Sequence, residues 1–196
     1  LALGRSVAVQ IALQAVILAA LCTATAMLVA RLRGRLAGAM AGLVVLAIPV
    51  VMFLSNAVML DNFLALLSLA AMLAWARFAA TMDWRWSLAF GVLVSCAVLT
   101  KGNGYGLALV PLFHALLARR LSWLWNWRTW LSAVPVLALT LPWLALTYRI
   151  SADGWNYPWG WGYTGPALAG FSVLAVEQIG PALLALFAVG LAATVR

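Results

Sequence analysis

No charged side chain interrupts residues 7–30, and a second charge-free run covers 36–54. Such runs are long enough to cross the roughly 30 Å hydrocarbon layer of a bilayer as helices. The rest of the chain repeats the pattern: 67% of its residues are hydrophobic and 8% are charged. A water-soluble domain carries about 25% charge, so the solvent for this chain is lipid. Lipid admits only helices and closed barrels, because every backbone amide must be satisfied within the structure. The apolar runs are continuous and rich in Leu, Ala and Val, without the period-two alternation of a barrel strand. The expected fold is therefore all-α, a polytopic transmembrane helix bundle forming one domain over 1–196.

Seven crossings are predicted, over 7–30, 36–54, 62–76, 87–100, 105–118, 129–148 and about 179–195. The net charge of +8 suggests nucleic acid at first sight, but the arginines cluster in short loops. That is the positive-inside pattern of a membrane protein, and nucleic acid is not an expected partner. Arg31, Arg33, Arg35, Arg77, Arg85, Arg119, Arg120, Arg128 and Arg196 fall on one side, which should be cytoplasmic; Arg5, Lys101 and Arg149 fall on the other. Three of the four acids, Asp61, Asp153 and Glu177, also lie on the outer side. Cys22 and Cys96 sit within apolar runs and read as small packing residues. The chain opens Leu1-Ala2-Leu3 with no signal peptide, which suggests an internal piece of a longer protein.

Lys101 is the only lysine, in Leu99-Thr100-Lys101-Gly102-Asn103-Gly104 between two apolar runs. A cation so near the bilayer is costly and usually has a function or a paired partner. Asp61 stands forty residues earlier, in Met59-Leu60-Asp61-Asn62-Phe63. From Arg85 to Lys101 and from Arg77 to Asp61 the chain advances about 24 Å as helix, which puts both groups at similar depth near the outer headgroups. Each has a structural reading. Lys101 complements a helix C-terminus, with Gly102 and Gly104 suited to a left-handed cap, and Asp61 is a natural N-cap for a helix starting at Asn62. Each also has a functional one. Lys101, with donors from the Gly-Asn-Gly turn and Asn103, suits a phosphate, while Asp61 suits an acceptor, a metal or Lys101 itself. Arg5 is a third outer candidate, with membrane anchoring as its alternative.

Aromatic residues gather in two places. Trp123, Trp125, Trp127 and Trp130 suit a cytoplasmic interfacial belt. Trp155, Tyr157, Trp159, Trp161 and Tyr163 recur at every second position, as in an extended outer loop with one aromatic edge. That edge fits either a belt or a platform for a prenyl chain or sugar ring. The outer region 149–178 would combine this loop with an interfacial helix over 166–178. His114, the only histidine, reads as packed within an apolar span. No nucleotide loop, zinc spacing or serine–histidine–carboxylate set is present. A divalent cation is compatible with an outer acid but nothing indicates one, so no cofactor is assigned.

The order Gly4-Arg5-Ser6, Arg33-Gly34-Arg35-Leu36-Ala37-Gly38, Pro49, Met59-Leu60-Asp61-Asn62 and Leu99-Thr100-Lys101-Gly102 resembles the core of the dolichyl-phosphate-mannose-protein mannosyltransferase-like family. These are polytopic glycosyltransferases of the GT-C fold (glycosyltransferase family 39), which include the bacterial lipid A aminoarabinose transferases. The resemblance covers about residues 1–148. It implies transfer of a sugar from a polyprenyl-phosphate carrier to an acceptor on the outer face of a membrane, with a bacterial plasma membrane as the expected setting. It further implies that Lys101 contacts the carrier phosphate, that Asp61 is the acid after the third family helix, and that Arg5 is the arginine opening the second. The family's catalytic base, an acid in its first outer loop, and its first helix would precede Leu1, so the isolated piece is expected to be inactive alone. Two alternatives remain at this stage. One is a non-enzymatic subunit of a membrane assembly that binds lipid or pigment. The other is a transporter, although no internal repeat supports it.

Overall fold

The computed structural model describes residues 6–57, 59–153 and 161–194. The described residues are helical, without strands, and divide into two compact units: Leu1–Met59 with Trp155–Arg196, and Leu60–Gly154.

In the first unit, α1 (Val7–Arg33) is the uncharged run of the sequence. It stops at Gly34, whose φ of 91° is open to glycine and costly for other residues. Gly34 N–H closes the helix on Ala30 O at 2.9 Å, and α2 (Arg35–Ala47) turns back against α1. Their contact is made by small residues. A Cβ on Gly38 would lie 2.5 Å from Ala26 O and 2.6 Å from Ala30 Cβ, and one on Gly42 would lie 3.2 Å from Ala26 Cβ. Two glycines four apart thus face Cys22, Ala26 and Ala30. This is the close approach by which helices associate where lipid removes the hydrophobic drive between them. Pro49 opens α3 (Pro49–Asn56), bent 60° from α2. Proline suits a first helical turn and breaks the preceding one. Later in the chain α9 (Trp161–Ile179) and α10 (Pro181–Thr194) meet at a 98° bend around Gly180, at φ 89°.

In the second unit, α4 (Asp61–Thr81) and α5 (Trp84–Thr100) form an antiparallel hairpin. Met82 sits in the left-handed region at φ 55°, with its N–H on Phe78 O at 2.7 Å, and ends α4. Asp83 caps α5, accepting from Arg85 N at 3.0 Å. Between the helices lies a core of Ala71, Ala74, Trp75 and Phe78 from α4 and Phe90, Val94 and Val98 from α5. These recur at three- and four-residue spacing, one stripe on each helix. The chain then passes through a 3₁₀ helix (Gly102–Leu109), α6 (Val110–Leu117), a short 3₁₀ turn (Leu121–Trp125) and α7 (Trp127–Trp130). It ends in α8 (Ala133–Asp153), which packs on α5. Gly91 makes that packing possible, since a Cβ there would collide with Ser132 O.

Both units are inverted relative to a soluble protein. Leu36, Leu117 and Leu146 are at least 80% exposed, whereas Gln14, Ser87, Ser95, Thr129 and Thr140 are buried. Ser95 and Thr140 return their hydroxyls to the carbonyls four residues back, Gly91 O at 2.7 Å and Val136 O at 2.6 Å. An apolar exterior over a more polar interior is the arrangement lipid demands.

The crossings differ from those expected. Among the described residues three stretches are long and apolar enough to span: Val7–Arg33, Asp61–Thr81 and Trp127–Ile150. Counting each bent pair as one span gives five. The segment 105–118, expected as a single crossing, is a 3₁₀ helix followed by an eight-residue helix, because Gly104 and Gly106 weaken an α-helix there and Pro111 can only stand in a first turn. Helix α8 runs on to Asp153 where a loop was expected after 148, and helix α9 begins at Trp161, so Trp161 and Tyr163 belong to a helix rather than to an extended loop. The remaining aromatic-edge residues, Trp155, Tyr157 and Trp159, lie outside the described residues.

Filling the α1–α2 seam should separate the helices. Gly38→Leu is expected to lower the melting temperature in detergent by about 3–10 °C through overpacking. Gly170→Leu, where nothing lies within 4 Å of a new Cβ, should stay within about 2 °C of wild type. Differential scanning fluorimetry of the two purified variants decides the point.

Candidate functional site

The α4–α5 hairpin determines what meets at its open end. Counted from Met82, α4 extends back to Asp61 and α5 extends forward to Lys101, arms of nearly equal length. Asp61 occupies the first turn of α4 and Lys101 follows the last residue of α5. The structure therefore brings together the two residues that stand forty apart in sequence. Lys101 Nζ donates to Asp61 Oδ1 at 2.5 Å.

The local geometry differs from simple capping. Leu60, not Asp61, holds the N-cap position of α4, and no side chain caps that helix end. Asp61 begins the helix instead, so its carboxylate answers the positive end of the macrodipole and is free to reach Lys101. Lys101 is the C-cap of α5, but in extended conformation at φ −158°, with its N–H on Ala97 O at 3.0 Å. The left-handed glycine cap expected there is absent, since the described positive-φ glycines are Gly34 and Gly180. Gly104 serves another purpose. Its N–H bonds Lys101 O at 2.9 Å, and a Cβ on it would stand 2.5 Å from the Ala97 carbonyl carbon and 2.6 Å from Val98 N. The turn after Lys101 is thus pressed onto the backbone of α5, and only glycine fits.

The side chains of Lys101 and Asp61 are 43% and 29% exposed. An ion pair at that exposure contributes about 0–1 kcal/mol to stability, too little to explain a charge beside a bilayer. What the pair does fix is position. An ammonium has three donors and gives one to Asp61, so two remain for a ligand. At the adjoining start of the 3₁₀ helix the N–H groups of Gly102 and Asn103 have no intrahelical acceptor, and Asn103 is exposed beside them. A cation, backbone donors, an amide and one carboxylate at a helix end can hold an anion and accept a proton from a neutral group.

Of the other expected site residues, Arg5, Trp155, Tyr157 and Trp159 lie outside the described residues. No three His, Cys, Asp or Glu side chains gather among the described residues in a way that would hold a metal ion. His114 lies at the other end of the hairpin, stacked on Trp123 with ring centres 5.0 Å apart and edge-on to Trp75 at 6.1 Å. Gln14 went unnoticed in the sequence. It is 4% exposed and donates from Nε2 to Met59 O at 2.9 Å. Its signal was one of two side-chain amides, Gln10 and Gln14, near the start of a largely apolar run.

Comparison with known proteins adds a family to this geometry. No curated protein and no solved structure matches the chain. Residues 3–157 match the family model described as dolichyl-phosphate-mannose-protein mannosyltransferase. That match spans most of the chain and includes Asp61, Lys101 and the hairpin that joins them. With its apolar helices, the chain is an integral membrane protein and belongs to the dolichyl-phosphate-mannose-protein mannosyltransferase family.

Proposed function

We propose that the chain carries the donor-phosphate site of a glycosyltransferase that moves a sugar from a polyprenyl-phosphate carrier to an acceptor at the outer face of the membrane. The observation that carries this reading is the Lys101–Asp61 contact at the open end of the α4–α5 hairpin, within the matched region. In such a transfer the bond between the anomeric carbon and a phosphate oxygen breaks, and that oxygen leaves with the electron pair. The acceptor hydroxyl oxygen bonds the anomeric carbon, and its proton passes to a base.

Lys101 is assigned to the departing phosphate, where a fixed cation stabilises the charge that develops. Gly102 and Asn103 supply donors beside it. Asp61 holds the ammonium in place and, when phosphate engages Lys101, is free to orient the acceptor hydroxyl or accept its proton. The distribution of arginines supports the sidedness: nine of the twelve basic residues assigned by sequence fall at the opposite side, consistent with cytoplasmic loops in a bacterial plasma membrane. Arg5 and the aromatic residues Trp155, Tyr157 and Trp159 are assigned to the carrier or sugar by the family resemblance.

Transfer from polyprenyl-phosphate mannose by the full-length protein in proteoliposomes tests these roles. Lys101→Ala should lower kcat by about 100- to 1,000-fold, the loss typical of removing one donor to developing charge. Lys101→Arg should retain part of the activity. A folded Lys101→Ala protein with wild-type turnover removes the phosphate role.

Asp61→Asn keeps the side-chain shape but removes the negative charge. It should lower kcat by about 10- to 100-fold through loss of proton acceptance and ammonium positioning. Its melting temperature should change little, because an exposed pair contributes about 0–1 kcal/mol. A large loss of stability with unchanged turnover would instead assign Asp61 to the fold alone.

A further inference from the structure

The other end of the second unit is strongly cationic. Arg77, Arg85, Arg119, Arg120 and Arg128 are exposed there against a single acid, Asp83, which accepts from Arg85 N–H through Oδ1. Among the described residues none of these arginines forms an ion pair. Three of them lie over indole rings, Arg85 at 5.9 Å from the centre of the Trp84 ring. The Arg120 guanidinium lies 5.7 Å from the centre of the Trp123 ring, and that of Arg128 lies 5.8 Å from the Trp127 ring. Arg128 Nη1 also donates to Met82 O at 3.1 Å, in the turn of the α4–α5 hairpin.

These arginines belong to a pair of turns that are stitched together. Thr129 Oγ1 donates to Trp123 O at 2.8 Å, and Trp130 Nε1 donates to Leu124 O at 2.6 Å. The same turns wall a cavity of about 360 Å³ lined by Phe90, Val94, Leu112, Leu124, Trp130 and Val136. The cavity hydroxyls are already committed: Thr129 to Trp123 O, and Ser132 to Thr129 O at 2.8 Å. What the cavity offers is apolar surface; Thr129 in its lining directly follows Arg128 in the chain, and among the described residues neither Arg120 nor Arg128 forms an ion pair.

We infer that this is a binding site for an anionic phospholipid of the surrounding bilayer, with an acyl chain in the cavity and its phosphate against Arg120 and Arg128. Charge complementarity selects the occupant. Planar guanidiniums hold phosphate oxygens two at a time, and basic recesses between membrane helices favour acidic headgroups. A free phosphate would leave the apolar cavity unused. The sugar carrier is assigned to Lys101, about 25 Å away along α5.

Native mass spectrometry of the protein in detergent, supplied with dioleoyl phosphatidylglycerol or dioleoyl phosphatidylcholine at equal concentration, tests the site. Wild type should hold the glycerol lipid with about 30-fold preference, as two basic contacts imply. The double variant Arg120→Gln, Arg128→Gln, altered only at exposed positions, should lose that preference. Ala108→Trp or Leu112→Trp, each placed in the cavity lining from an exposed position, should lower glycerol-lipid occupancy at least about fivefold. Equal retention of the two lipids by wild type overturns the proposal. So does wild-type preference in the double arginine variant, undiminished occupancy in both cavity variants, or displacement of the phospholipid from this site by polyprenyl phosphate.

Discussion

A backbone amide inside a bilayer finds no water, and in this chain even the turns at the ends of the spans are closed by their own residues. The turns show how. Gly34 takes a left-handed conformation so that its N–H can return to Ala30. Met82 does the same toward Phe78, and Asp83 immediately begins the next helix with its side chain. Serine and threonine hydroxyls point back along their own helices rather than outward. Because the connection at Met82 is so short, α4 and α5 must run antiparallel in close register, and the identity of the residues at their far ends follows from counting.

This counting gives the Asp61–Lys101 contact its meaning. The contact adds little to stability, yet it costs the fold little as well, since each charge also lies at the helix end whose dipole favours it. A charged pair that is neither buried nor structurally required is well placed to exchange one partner for another. The same hairpin carries at its other end an excess of arginine with little acid to balance it. One compact unit thus presents two different cationic surfaces, separated by a core built on Trp75, Phe78 and Phe90.

Much of this was legible in the residues. Charge-free runs announced helices in lipid, and equal distances from Arg77 to Asp61 and from Arg85 to Lys101 put the acid and the lysine at one level. What escaped were features that hydropathy does not weigh. Gly38 and Gly42 matter because they are small, and an apolarity scale gives no credit for smallness. The segment 105–118 has the hydropathy of a crossing, but its glycines and Pro111 make another helix type competitive. Asp61 looked like a cap because aspartate so often is one. Whether it caps depends on where the preceding loop lets the first turn form, and that loop places Leu60 in the role instead. The pinning of Arg120 on Trp123 and of Arg128 on Trp127 joins near neighbours in the chain, and hydropathy gives it no weight.

The 3₁₀ helix after Lys101 has a geometric consequence. A 3₁₀ helix rises about 2.0 Å per residue against 1.5 Å in an α-helix. Over the eight residues Gly102–Leu109 the tighter winding yields about 16 Å instead of 12 Å. Added to α6, the return path measures about 28 Å along its axes, close to the length of α5 beside which it starts. Winding type therefore substitutes for chain length. Were this stretch to relax into α geometry, the return would come up about 4 Å short, and the slack would have to be drawn from the two polar turns it joins: the lysine's at one end and the arginines' at the other.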